Sequence, residues 1–406
     1  MTAVLPSRPK VTTTTRTPPL WRRLDWLLIG GVAVLCGIGC LLVWSATINQ
    51  TELTGGDDTA YLTKQATNVV VGAALAALVA ATDHRWLRIW APAVYVASIA
   101  GLLLIFVPGI GTTINGSRSW LTVGGLTLQP AEFAKLGVVI GMALVLAERA
   151  EGQMRTRASG TDLVPALAIA ALPALLILGQ PDLGTLIVLV AIVFGIIALA
   201  GAGKRWLIGL VAVGVAAVAG AIAVGLLAQY QLDRFRAFTD PSLDPKGAGY
   251  NTIQSRVAVG NGGLFGQGLF DGSQTQAGFV PEQHTDFVYT VAGEELGLVG
   301  AGLIIVLFTI VVWRALRIAR RADDLFGRLV AVGVACWFGF QAFQNIGMCL
   351  GIMPVTGVPL PFVSYGGTSM FASLMAVGLL INVHLRTDHR HGLGVIVRSH
   401  LTRSRR

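Results

Sequence analysis

Long apolar runs separated by short polar joints dominate the 406 residues of this chain. Runs of roughly 17–25 residues with almost no charge can cross a hydrocarbon layer of about 30 Å as α-helices. They fall near 26–46, 65–82, 89–107, 131–148, 163–179, 183–200, 207–229, 287–313, 327–350 and 365–384. The pattern predicts an all-α integral membrane protein of about ten transmembrane helices. Two joints break the short-loop rhythm. Residues 108–130 link spans three and four, and residues 230–286 link spans seven and eight. A connector as long as the second is seldom a plain tether. Its stretch GAGYNTIQSRVAVGNGGLFGQG interleaves apolar residues with Gly and Ser, which favours ordered re-entrant or interfacial structure.

Composition agrees: 54% of residues are hydrophobic and 13% charged, with mean hydropathy +0.69. Soluble domains carry about 25% charged residues. The organisation expected is a basic, disordered tail over 1–23, one membrane domain over 24–385 and a second basic tail over 386–406, with no room for a soluble catalytic domain. The first run, Trp26–Trp44, is too long for a signal-peptide core and is read as a retained anchor.

The net charge of +9 raises nucleic acid as a partner, and the placement of that charge argues against it. Most of the 30 lysines and arginines sit on one side of the layer when the N-terminus is placed inside, which is the positive-inside bias. An even span count then puts both termini in the cytoplasm of a multi-pass cell-membrane protein. The cysteines, Cys36, Cys40, Cys336 and Cys349, lie in predicted spans without metal or disulfide spacing and read as core filling.

Against this background a few polar clusters stand out. FVPEQHTDFVYTVAGEELGLVG (279–300) places Glu282, His284, Asp286, Glu294 and Glu295 beside a long apolar segment. Ionisable groups at a bilayer usually face a cavity, a partner or a substrate path. Asp286 has two readings. It can cap the helix that follows, which would lower its pKa, or lie buried as a general base, which would raise it. Glu294 and Glu295 read as buried carboxylates bonded to a neighbouring span. A second cluster is cationic: Arg118, Lys135, Arg234, Arg236, Lys246 and Arg256 lie against the inside bias and suit a phosphate. Lys135 follows Glu132 by three residues, the spacing of an intrahelical ion pair. QPDLG (180–184) places Asp182 where it can cap the next helix, and MPVTGVPLPFVSYGGTS (353–369) offers Ser364 and Tyr365 as ligand contacts. No Ser or Cys has the His and acid partners of a nucleophile triad.

The strings QPAEFAK, QPDLGT, DPKGAGYNTIQS, FVPEQHTDFVYTVAGEELGL and PVTGVPLPFVSYGGTS together resemble the SEDS family, typified by RodA, FtsW and SpoVE, over roughly 24–385. The form PVTGVPLPFVSYGG looks more like RodA than FtsW. The resemblance implies ten spans, a large extracellular loop over about 230–286, and a glycosyltransferase that polymerises lipid II into peptidoglycan outside the membrane, for cell elongation and shape. A lipid II transporter is the alternative. Asp286 takes the place of the family's essential aspartate, with Arg118, Glu132, Lys135, Arg256, Glu282 and His284 as substrate-binding candidates. Here Ser119 stands directly before Trp120, where the family carries a basic residue, and Arg118 lies one position earlier. The resemblance further implies a class B penicillin-binding transpeptidase and elongation-complex membrane proteins as partners. It leaves room for a divalent cation, Mg or Mn, as cofactor.

Overall fold

The computed structural model describes residues 20–403, apart from 115–116, 124–125, 156–157, 226–228 and 241–246. Ten helices in it are long and apolar enough to cross a membrane. They are α1 (Trp26–Thr47), α2 (Ala60–Ala81), α3 (His84–Leu104), α4 (Pro130–Gly152), α5 (Gly160–Leu178), α6 (Leu183–Ala200) and α7 (Lys204–Ala223). After two shorter helices, α8 (Gln229–Thr239) and α9 (Ala248–Asn261), come α10 (Val288–Glu295), α11 (Gly297–Arg321), α12 (Leu325–Cys349) and α13 (Gly367–Arg403). The short α8, α9 and α10 are not among the ten spans.

Local chemistry sets the starts. Asp25 caps α1 by accepting from Leu28 N at 3.1 Å. Pro130 opens α4, where its missing N–H has no partner to lose. Ser159 and Asp162 close a capping box at α5, and Asp182 and Asp324 cap α6 and α12. Helices α4 and α12 are buried over most of their length and form the centre of the bundle. Helix α7 lies at its edge, with no buried residue.

Three findings go beyond the sequence expectations. The joint between α3 and α4 folds as an antiparallel sheet of β1 (Gly111–Ile114), β2 (Ser117–Val123) and β3 (Leu126–Leu128), with Gly111 opposite Leu121 and Leu121 opposite Leu128. Span eight does not begin at 287. The helix breaks between Glu295 and Gly297, because Gly297 takes φ +65 where the backbone of Gly266 packs directly against it. A Cβ there would be strained and would strike that backbone. The last helix also runs past the expected end of span ten, to Arg403.

The bundle has two chemically different ends. The starts of α2, α4, α6 and α13 and the end of α1 meet the sheet, α9 and α10 at one end. At the other, Arg88 ties α3 to Glu151 of α4 and to Asp324 before α12, each at 2.9 Å, and Arg314 of α11 holds Asp25. Glu295 accepts from Ser45 Oγ of α1 at 2.5 Å, so α10 is anchored to the first span, as expected for a buried carboxylate.

Candidate active site

Residues from the QPAEFAK, QPDLG, HTDF and MPVTGVPLPFVSYGGTS segments converge on one cavity of about 330 Å³. Gln129 contributes from the start of α4, Asp182 from the cap of α6, Arg234 from α8, and Glu282, His284 and Asp286 from the loop before α10. Thr356, Gly357 and Tyr365–Ser369 close it from the loop between α12 and α13. Each segment turns here for a local reason. Pro354, Pro359 and Pro361 keep the last loop extended, Gly357 takes φ +71, and Glu282 itself holds φ +52. A second cavity of about 280 Å³ lies alongside and shares Arg234, Glu282, Asp286, Val355 and Gly357. Asp286 therefore stands between two concavities.

The capping reading of Asp286 does not describe this structure. Phe287 is the N-cap of α10, and no side chain caps that helix. Among the described residues no hydrogen bond reaches the Asp286 carboxylate. Its backbone carbonyl instead accepts from Asn345 Nδ2 of α12 at 2.7 Å, and the same amide donates to Val358 O at 2.8 Å. A side chain built on Gly357 would come within 3.3 Å of Asp286 Oδ2, so glycine keeps that approach open. Burial pushes the Asp286 carboxyl up to about 7; the Glu282 and Asp182 charges add to the rise, and the Arg234 guanidinium opposes it.

His284 is buried, and burial holds its pKa below the usual value while Glu282 pulls the other way. Its ring packs edge-on against Tyr61 at 5.3 Å, and its carbonyl accepts from Tyr365 N at 2.9 Å. Glu282 is exposed and accepts from Thr285 Oγ1 at 3.0 Å. Asp182 accepts from Thr185 N at 3.0 Å and from Gln129 Nε2 at 3.2 Å, joining the starts of α4 and α6. Ser364 is buried and accepts from Leu360 N at 2.8 Å, a turn contact. Glu294 accepts from Ser273 Oγ, from Gln274 N and from both Thr275 N and Thr275 Oγ1 at 2.7–3.2 Å, pinning the turn at 273–276 to α10. Gln283 links that turn to α1, through Thr275 O at 2.9 Å and Ala46 O at 2.8 Å.

Of the expected substrate contacts, Glu282 and His284 line the cavity and the other four do not. Lys135 is fully buried in α4. It is held by Glu132 Oε1 at 2.6 Å and Gln341 Oε1 at 2.8 Å, over the Trp337 ring. Gln341 in turn donates to Pro359 O at 2.8 Å, so this ion pair braces the wall of the cavity from behind. Arg118 donates to Val107 O at 3.0 Å, and Arg256 is exposed beside Gly351. Lys246 lies outside the described residues. The cation facing Asp286 is Arg234, which the sequence offered only as one basic residue among six. Asn345 is not among the residues the sequence motifs single out, although an asparagine in the run FQNIGMC is an intramembrane polar signal of the kind that marks a functional position. Among the described residues no three His, Cys, Asp or Glu side chains converge as a metal set.

Comparison with known proteins agrees with this architecture. The model of the FtsW, RodA and SpoVE family, described as cell cycle protein, matches residues 25–389. Stage V sporulation protein E of Bacillus subtilis is 38% identical over 91% of this chain and 98% of its own length. Peptidoglycan glycosyltransferase MrdB of Escherichia coli is 38% identical over 89% and 93%. A probable peptidoglycan glycosyltransferase FtsW of Trichlorobacter lovleyi is 37% identical over 91% and 95%, so identity does not separate the three branches. Among solved structures, a chain from a study of how a peptidoglycan synthase complex coordinates polymerisation and crosslinking superposes with TM-score 0.73, at 32% identity over 90% of this chain and 98% of that one. Rod shape determining protein RodA of Thermus thermophilus superposes with TM-score 0.64, at 30% identity over 90% and 98%. The chain belongs to the FtsW, RodA and SpoVE family of membrane proteins.

Proposed function

We propose that this chain is a peptidoglycan glycosyltransferase that polymerises lipid II at the outer face of the cytoplasmic membrane, in the service of cell elongation and shape. The observation that carries the reading is Asp286: a carboxylate with open oxygens and a raised pKa, between two cavities at one end of a ten-span bundle. Two concavities meeting at one base suit a reaction that joins two lipid-linked saccharides. Their prenyl tails stay in the bilayer while their sugars meet at its surface.

In this mechanism Asp286 accepts the proton of the acceptor's 4-hydroxyl as that oxygen attacks the anomeric carbon of the donor. The new O–C1 bond forms as the bond from C1 to the pyrophosphate oxygen breaks, and undecaprenyl pyrophosphate departs with the electron pair. One base suffices for an inverting displacement. A base with a pKa near the working pH combines ionised population with driving force, and burial supplies that tuning here. Arg234, which lines both cavities, is the cation placed to offset charge gathering on the leaving pyrophosphate.

A class B penicillin-binding transpeptidase fits as partner, since a chain similar to this one was solved in a study of coordinated polymerisation and crosslinking. The positive-inside bias supports cytoplasmic termini, which put Asp286 on the outer side. The lipid II transporter reading finds less support, because the charges of the described spans gather towards the two ends of the bundle. The test is incubation of purified chain with lipid II, with and without a transpeptidase partner. Glycan strands are the expected product. Movement of lipid II across a vesicle bilayer without strands would favour the transporter.

A further inference from the structure

The spans leave an apolar groove of about 930 Å³ that runs along the bundle from Arg23 and Arg386, at the end remote from Asp286, towards Ala66 and Leu374. Its walls are α1 and α2 and its floor is α13, and it shares no lining residue with the Asp286 cavity. Small side chains open it, with Gly37 on α1 and Ala73 and Ala77 on α2. A Cβ at Gly37 would meet nothing within 4 Å. A groove of this size facing hydrocarbon must be filled by something, since an empty apolar cleft forfeits dispersion contacts along its lining.

Charge at the mouth says what fills it. Arg23 and Arg386 both line the groove at this end, and no acidic residue does among the described lining. Arg23 donates to Leu385 O at 2.6 Å and Arg386 to Thr82 O at 3.4 Å, which fixes both heads beside the opening. A guanidinium carries five N–H donors, so one carbonyl bond leaves most of the fork for an anion. Of the nearby carboxylates, Asp25 is occupied by Arg314 at 2.8 Å, and Asp83, next to Thr82, accepts from Arg85 N at 3.2 Å. Trp21 and Trp26, each 57% exposed, stand at the same level, where aromatic side chains mark a headgroup boundary.

We propose that the groove between α1, α2 and α13 binds an anionic phospholipid of the leaflet opposite Asp286, its phosphate between Arg23 and Arg386 and an acyl chain along the alanine face of α2. On the positive-inside orientation this is the cytoplasmic leaflet, whose anionic lipids attract basic residues at span ends. The site would make assembly or stability of the bundle sensitive to the anionic lipid content of the membrane, separately from substrate binding.

Native mass spectrometry of the purified, delipidated full chain tests this, with phosphatidylglycerol and phosphatidylcholine added in parallel. Phosphatidylglycerol adducts should prevail. The double variant Arg23→Gln, Arg386→Gln should weaken them about tenfold, and Arg23→Lys, Arg386→Lys should restore them in part, which separates lost charge from lost carbonyl bonds. Gly37→Leu, which fills open space, should reduce adducts of both lipids. Equal adducts of the two lipids, or phosphatidylglycerol adducts indifferent to both the glutamine pair and Gly37→Leu, would overturn the proposal. So would a dimer that Gly37→Leu abolishes, because a second chain would then be the occupant.

Discussion

Asn345 ties the backbone of Asp286 to the loop between α12 and α13: one amide nitrogen donates to Asp286 O at 2.7 Å and to Val358 O at 2.8 Å. The catalytic candidate is thus held through its main chain by a buried span, and its carboxylate is left for chemistry. Misplacement of a reacting group by about 1 Å can cost on the order of a hundredfold in rate. Asn345→Leu, similar in volume but without the donor, is expected to lower kcat for polymerisation by about tenfold or more with little change in KM. A fall confined to KM would show that the tether shapes the binding site and not the base.

Arg234 lines both cavities beside Asp286 and acts on its carboxylate by charge. Its positive charge holds the Asp286 pKa below what burial and the Glu282 charge would otherwise give. Arg234→Gln should therefore move the acid limb of the polymerisation pH profile to higher pH, and should also lower the rate at its plateau if the guanidinium offsets pyrophosphate charge. The pH–rate profile of wild type and variant checks both. An acid limb moving to lower pH would contradict the electrostatics.

Lys135 and Glu132 call for a stability measurement. The pair is wholly buried at 2.6 Å, and removing one member of such a pair strands a buried charge, at a cost of about 3–5 kcal/mol. Lys135→Met should lower the melting temperature sharply. Lys135→Met with Glu132→Gln should recover much of the loss, since the unpaired charge is gone. If instead Lys135→Met folds normally and only binds lipid II more weakly, the residue contacts substrate and the bracing role is wrong.

How much of this was legible in the sequence depended on the range of the interaction. The spans were readable because bilayer thickness sets a run length that any stretch such as Trp26–Thr47 displays without its neighbours. Asp182 as a cap was readable because its partner, Thr185, is three residues away. The sheet at 111–128 was not, since its strands are short and carry Gly and Thr with little alternation. The break at Gly297 depends on Gly266, thirty-one residues earlier, and the main-chain tether of Asp286 depends on Asn345, fifty-nine residues later. Arg118 and Lys135 looked alike as cations against the topology bias. Only packing shows one bonded to a loop carbonyl, the other sealed in α4 and Arg234 turned to the cavity.

The raised Asp286 pKa has a consequence for stability. A carboxyl whose folded pKa is about 7, against an ordinary 3.8, favours the protonated form in the folded state. Relative to an ordinary carboxyl, the folded state is fully favoured below about pH 3.8 and loses that advantage as pH rises towards 7. Each pH step of one between those two values removes about 1.4 kcal/mol. Asp286→Asn mimics the protonated form. It should raise the melting temperature at pH 8 and raise it less at pH 5. An equal or opposite effect at the two pH values would show that ionised Asp286 is not under strain.

The most direct measurement of the central claim is polymerisation of lipid II by purified Asp286→Asn across pH 6 to 9, beside wild type. The amide keeps the shape and removes the base. The account predicts that wild type loses activity as pH falls below about 7, and that the folded variant makes no glycan strands at any pH. Strand formation by the variant at a rate near that of wild type would contradict it.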